Sequence, residues 1–171
     1  DLLAPKIRCA VNSIPEIERM RIQEIRLRLG RKLTASVFGK EYFITEHGRL
    51  MSEETCAVEI TQEDIDFTYK RALGNSLHSY QREISRGYIT AEGGNRFGFC
   101  GTAVLNPSEN YRIETIKNVS SINIRIAREV FGSGQVIYQK AFSDGPASLI
   151  IAGPPSSGKT TVLRDICRLL G

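Results

Sequence analysis

The sequence predicts an α+β N-terminal domain with a partly antiparallel sheet, followed by the first strand and helix of a parallel α/β core. Three observations lead there. The hydrophobic periodicity runs helix, strands, two helices, then mostly strands up to about residue 126. Gly132-Ser133-Gly134 breaks that pattern as a short flexible joint. After it, the apolar run Ser148-Leu149-Ile150-Ile151-Ala152 enters a Gly/Pro/Ser-rich loop and then an amphipathic helical stretch. The expected divisions are residues 1–131 for the first domain, 132–147 for a linker with a connecting helix, and 148–171 for the start of the core. With 171 residues, 41% apolar and 25% charged, the chain suits one ordinary domain plus a piece of another.

The elements follow from local chemistry. Ser13-Ile14-Pro15-Glu16 resembles a capping box with proline in the first turn, which predicts a helix to about Arg21. Apolar and charged residues alternate from Glu24 to Leu29, the pattern of a half-buried strand. Residues 33–38 and 41–45 read as a hairpin turning near Gly39-Lys40. Thr61 opens a second helix with Ile65, Tyr69, Ala72 and Leu73 on its buried stripe. A third spans about 76–86, with Leu77, Tyr80 and Ile84 as its face and Gly87 as its stop. Residues 88–91 and 96–104 are strands around a Gly93-Gly94-Asn95 turn, and 112–117 and 121–126 are strand-like again. In the last of these, Ile122, Ile124 and Ile126 point one way. Residues 135–142 are predicted helical.

The segment with the most chemistry is Gly153-Pro154-Pro155-Ser156-Ser157-Gly158-Lys159-Thr160. It fits G-x-x-x-x-G-K-[ST], the phosphate-binding P-loop. Glycines let backbone amides turn inward around phosphate oxygens, and the following helix adds the positive end of its dipole. Lys159 is the mobile cation for the β- and γ-phosphates, and the Thr160 hydroxyl is the expected Mg²⁺ ligand. The expected nucleotide-binding set is Gly153, Ser156, Ser157, Gly158, Lys159, Thr160 and Thr161, with ATP and Mg²⁺ as ligands. Val162, Leu163, Ile166, Leu169 and Leu170 recur at helical spacing, with Arg164, Asp165 and Arg168 assigned to the opposite face. Asp165 is the sole acid after the motif and lies on the same helix, so no Mg²⁺-holding Asp follows on a later strand. Starting at Asp1 and stopping one helix after Lys159, the chain reads as a fragment that does not itself turn over ATP.

Bulk properties narrow the function. No apolar run is long enough to span a membrane. The four cysteines form no C-x-x-C pair, which argues against zinc and disulfide frameworks and for reduced thiols. The net charge of +4 is concentrated in Arg19, Arg21, Arg26, Arg28, Arg31 and Lys32, with Glu24 as the nearby counter-charge. Such a patch suits nucleic acid, an anionic membrane or an acidic protein, but without interleaved aromatics a solvated strand face is favoured.

Several blocks together resemble the stage III sporulation protein AA family of endospore-forming bacteria. They are residues 24–31, 81–90 with Gly87-Tyr88-Ile89-Thr90, 93–98, 116–130 and 153–170. The resemblance implies a P-loop ATPase related to secretion-type ATPases, with a RecA-like core and a hexameric ring when full length. It implies action in the cytoplasm of the mother cell, including a peripheral place at the engulfing membrane, with other stage III proteins that form a channel to the forespore. Ser157 departs from the hydrophobic or glycine residue common at that place, which a loop binding through its backbone tolerates. Arg125 and Arg128, before the joint, are candidate catalytic residues that reach a γ-phosphate; the competing reading makes them solvated strand residues. The alternative function is a nucleic-acid-handling ATPase using the basic segment, which a salt-sensitive affinity for single strands distinguishes. A small-molecule kinase fits poorly, because about 150 residues precede the loop.

Overall fold

The computed structural model describes residues 2–74, 81–107, 112–127, 130–155 and 157–171. They fall into two compact units, Asp1–Ala127 and Arg128–Gly171.

The first unit is a mixed α+β domain around a seven-stranded sheet in the order β4-β3-β2-β1-β7-β6-β5. Its strands are β1 Ile22–Arg28, β2 Thr34–Val37, β3 Lys40–Ile44, β4 Leu50–Met51, β5 Tyr88–Thr90, β6 Arg96–Asn106 and β7 Arg112–Arg125. Every named pairing is antiparallel, so the sheet goes beyond the partly antiparallel expectation. Its helices are α1 Pro5–Asn12, α2 Glu16–Arg19, α3 Gln62–Ala72 and α4 Gln81–Ser85.

Period-two alternation sorts the sheet's two faces. Ile25 and Leu27 of β1, Phe97 and Phe99 of β6, Ile122 and Ile124 of β7 and Ile89 of β5 are buried in one core with Ile7, Ile65, Leu73 and Ile84 from the helices. The intervening residues face outward in register: Glu24, Arg125 and Arg96 share one row, and Arg28, Ser121 and Cys100 another. Tyr69 of α3 meets the Phe99 ring edge-on at 4.9 Å, fixing helix against sheet.

Several expectations change in detail. The helix α1 had no counterpart in the sequence reading; Pro5 starts it, and its buried Ile7, Ala10 and Val11 form its inner face. Ser13 does not open a capping box. It closes α1, donating its hydroxyl to Cys9 O at 2.9 Å, while Pro15 stands at the N-cap of the single-turn α2. The β2–β3 turn is Phe38-Gly39, both at positive φ (49° and 79°), the geometry of a two-residue type I′ hairpin. The two strand segments expected from 112 to 126 are one strand bent at Asn118, where φ is 49° and the register against β6 shifts. Thr61 caps α3 as expected, in a reciprocal box with Asp64. Of the third predicted helix, Leu77 and Tyr80 lie outside the described residues.

The second unit contains α5 Gln135–Ala141 and α6 Lys159–Leu170. Residues 148–152 form no strand, against expectation, and Ile150 is 92% exposed. A strand exists only with a neighbour to complete its ladder, and among the described residues this unit offers none.

Candidate functional site

The glycine-rich loop lies at the start of α6. Gly158 immediately precedes the helix at φ 84°, a left-handed conformation that glycine adopts without a Cβ penalty. The first helical bond runs from Val162 N to Gly158 O at 3.0 Å. Among the described residues no side chain caps this end, so the leading amides of α6 face the loop with no intrahelical acceptor. Lys159 folds back across the loop. Its Nζ donates to Gly153 O at 2.8 Å and to Pro154 O, with Ser157 Oγ at 3.5 Å. The ammonium thus bridges the start of the loop, and among the described hydroxyl-bearing residues Ser157 and Thr160 are exposed and Thr161 is half-buried. Ser156 lies outside the described residues.

This arrangement has the donors that a polyphosphate requires: helix amides without an intrahelical acceptor, a flexible cation and a hydroxyl beside them. A Mg²⁺–triphosphate would be held by the loop backbone, Lys159 and Thr160, with the metal neutralising charge between phosphate oxygens. Lys159 is already satisfied by main-chain carbonyls, so phosphate oxygens would exchange for existing partners.

Asp165 does not lie on the solvent side of α6. It is buried at 4% exposure, and its Oδ2 accepts the amide of Gly134 at 2.8 Å. Its Oδ1 accepts Nε and Nη2 of Arg168 at 3.1 and 2.8 Å. The Gly134 amide first, and then Arg168, hold its carboxyl below the usual carboxylate range. The Arg168 guanidinium also lies 4.9 Å over the Phe131 ring. Gly132-Ser133-Gly134, read as a flexible joint, is therefore packed against α6: Ser133 Oγ donates to Thr161 O at 3.4 Å. A Cβ on Gly134 would stand 2.7 Å from Ile166 Cγ1. The sequence held a weak signal for this, an Asp–Arg pair at i,i+3, but nothing pointing at Gly134.

Arg125 ends β7 with an exposed side chain, opposite Glu24 on one neighbour and Arg96 on the other. Arg96 is engaged over the Tyr88 ring at 4.1 Å. Arg128 lies outside the described residues.

Three of the six cations of the basic segment, Arg26, Arg28 and Lys32, form ion pairs. Arg26 binds Glu24 at 3.0 Å and Glu41 at 3.2 Å; Arg28 lies 3.7 Å from Glu41, and Lys32 lies 3.1 Å from Glu59. The Thr34 hydroxyl first, and then Arg26 and Arg28, lower the Glu41 pKa and keep it ionised. Glu41 and Glu59 come from outside the basic stretch, so a local count of charges overstates its field.

An α+β domain followed by a glycine-rich loop and helix defines the general class. The model of the family described as "Sporulation stage III, protein AA" matches residues 1–171, and the chain belongs to that family. It is 29% identical over 169 residues to stage III sporulation protein AA of Bacillus subtilis (strain 168), covering 99% of this chain and 50% of that protein. The chain therefore spans about half the length of this curated relative. A 64-residue stretch is 36% identical to the protein SEEDLING PLASTID DEVELOPMENT 1 of Arabidopsis thaliana, covering 35% of this chain and 9% of that protein. Among solved structures, the Legionella pneumophila ATPase DotB aligns with 92% of this chain and 43% of its own, at TM-score 0.40 and 18% identity. No helix among the described residues is long and apolar enough to cross a membrane.

Proposed function

We propose that the whole protein is a P-loop ATPase of sporulation, and that residues 153–161 are its phosphate-binding loop. The observation that supports this most directly is the position of Lys159, whose ammonium closes the loop at the uncapped N-terminus of α6. In this reading Gly153, Ser156, Ser157, Gly158, Lys159, Thr160 and Thr161 hold ATP, and Thr160 is the Mg²⁺ ligand. Residues 148–171 are then the opening strand and helix of a RecA-like core, with 148–152 pairing into a parallel sheet in the whole protein. ATP turnover drives or assembles a channel with other stage III sporulation proteins, acting from the mother-cell side as a homo-oligomeric ring.

Calorimetry of the whole protein with Mg²⁺–ATP tests the reading. Binding is expected in the wild type, with loss of turnover in Lys159→Ala. Absence of heat in the wild type, or full turnover in the variant, would overturn it. The nucleic-acid reading is weaker because Arg26 and Arg28, two of the six basic residues it relies on, pair with Glu24 and Glu41.

A further inference from the structure

A groove in the first unit has the shape of a vacant place in the sheet. It encloses about 720 Å³ between Gln62, Asp66 and Tyr69 of α3, Ile84 of α4 and residues 114–119 of β7. Six consecutive strand residues line it. Side chains alternate between sheet faces, but the register against β6 shifts beside Glu114 and again between Lys117 and Ser121, so this run brings residues of both faces and the strand's edge to the groove. The pairing explains why that edge is open. β1 accompanies β7 from Arg125 only as far as Ser121, opposite Arg28, and Leu29 N makes a last bond to Ser120 O. From Lys117 to Arg112, β7 pairs with β6 alone. The position beside β7 in line with β1 is empty among the described residues, and α3 forms its opposite wall. Gln62 Nε2 closes the end nearest β1 by donating to Val119 O at 3.2 Å.

We propose that this groove binds an extended segment of a partner protein, which adds to the edge of β7 as a further strand. Between the irregular positions at Glu114 and Asn118 the edge presents main-chain donors and acceptors over about 15 Å at roughly 3.3 Å per residue, which suits a short segment of about four residues of extended chain. Tyr69, Ile84, Ile116 and Val119 supply apolar contacts for alternate side chains of the segment. Asp66 and Glu114, both exposed, set two carboxylates against the single ammonium of Lys117. That charge selects a segment carrying Lys or Arg among its apolar residues. Unlike a helix lying in a groove, such a segment depends on its own backbone N–H groups.

The test uses a phage-displayed random-heptapeptide library selected on the 171-residue chain without nucleotide, so its outcome is independent of the P-loop reading. Synthetic peptides of the selected consensus are then titrated into labelled protein. Enriched peptides are expected to alternate apolar residues around a Lys or Arg and to move the amides of residues 114–118. An Asp66→Lys, Glu114→Lys double variant weakens them by about tenfold or more. N-methylation at alternate peptide positions abolishes binding without changing any side chain of protein or peptide, so this arm holds even if the double variant folds poorly. No enrichment, hits shifting a different surface, N-methylated peptides binding unchanged, or a second copy of the chain occupying the edge would each overturn the proposal.

Discussion

The amide of Gly134 is bound by the buried carboxylate of Asp165 at 2.8 Å, a contact between the N-cap of α5 and the middle of α6. The same glycine lacks a Cβ where one would stand 2.7 Å from Ile166 Cγ1 and 2.9 Å from Val162 O. Close approach and hydrogen bond are one feature, since a side chain at residue 134 would push the amide away from the acid. Gly134→Ala is therefore expected to destabilise the α5–α6 contact by about 1–3 kcal/mol. Amide exchange across α5 and α6 reads this directly, and unchanged protection would show that the helices do not need the contact.

Asp165 should also titrate abnormally. Its pKa is lowered by Gly134 and Arg168, so the carboxylate stabilises the folded unit above the unfolded value of about 3.9 and loses that contribution as pH falls through the lowered one. Carbon-detected titration of the carboxyl should give a midpoint below that of a free Asp. Arg168→Leu should raise the midpoint. A wild-type midpoint at the free value would contradict the geometry.

Asp64 makes a parallel case in the first unit. Burial pushes its pKa up, but hydrogen bonds from Lys6 and from the Thr61 amide and hydroxyl outweigh that, and the net direction is down. Lys6 Nζ lies 2.7 Å from the carboxylate, tying α1 to the start of α3. Stability from this cap is present above about pH 4 and declines below it. Asp64→Ala removes half of the capping box and is expected to cost about 1–2 kcal/mol in denaturant melts at neutral pH. The deficit against wild type should shrink as the pH is lowered.

Two glycines at positive φ separate backbone strain from collision. Gly30, at φ 66°, has open space where a Cβ would go, whereas a Cβ on Gly48, at φ 73°, would stand 2.3 Å from the backbone carbon of Ser13. Gly30→Ala should cost about 1–2 kcal/mol, from the left-handed conformation alone. Gly48→Ala adds a clash with main chain that has no rotamer to relieve it, and a loss of about 3 kcal/mol or more is expected. Equal melting shifts for the two would refute this account of how the β3–β4 turn packs on the junction of α1 and α2.

What the sequence revealed was governed by local rules. The period-two alternation of Glu24 to Leu29 and the isoleucines of β7 located the sheet and its buried face, and Thr61 located α3. Relationships set by distant residues were hidden. Glu41 and Glu59 pair with Arg26, Arg28 and Lys32 of a basic stretch that they do not adjoin. Asp165 looked solvated because helical periodicity gives a residue's angle around its axis and not the neighbour standing there. The apolar run 148–152 has strand composition, but composition supplies no ladder partner. For the loop, the motif named the residues, while the return of Lys159 to the carbonyls of Gly153 and Pro154 is geometry that no pattern encodes.

Arg125 gives the sharpest test of how the proposed ATPase works. It stands in register between Glu24 and Arg96 at the end of β7 with an exposed side chain, and among the described residues no ion pair is formed by it. If it acts on a γ-phosphate, its charge matters most when charge builds on the transferring group, and less in the bound ground state. Arg125→Ala in the whole protein should then lower ATP turnover by about a hundredfold or more while changing nucleotide affinity by only a few-fold. Arg125→Lys should restore turnover only in part, because an ammonium lacks the planar fork. Lys159→Ala should differ in kind, losing affinity as well as rate, because Lys159 belongs to the binding loop itself. Turnover unchanged in Arg125→Ala would leave Arg125 as a solvated strand residue.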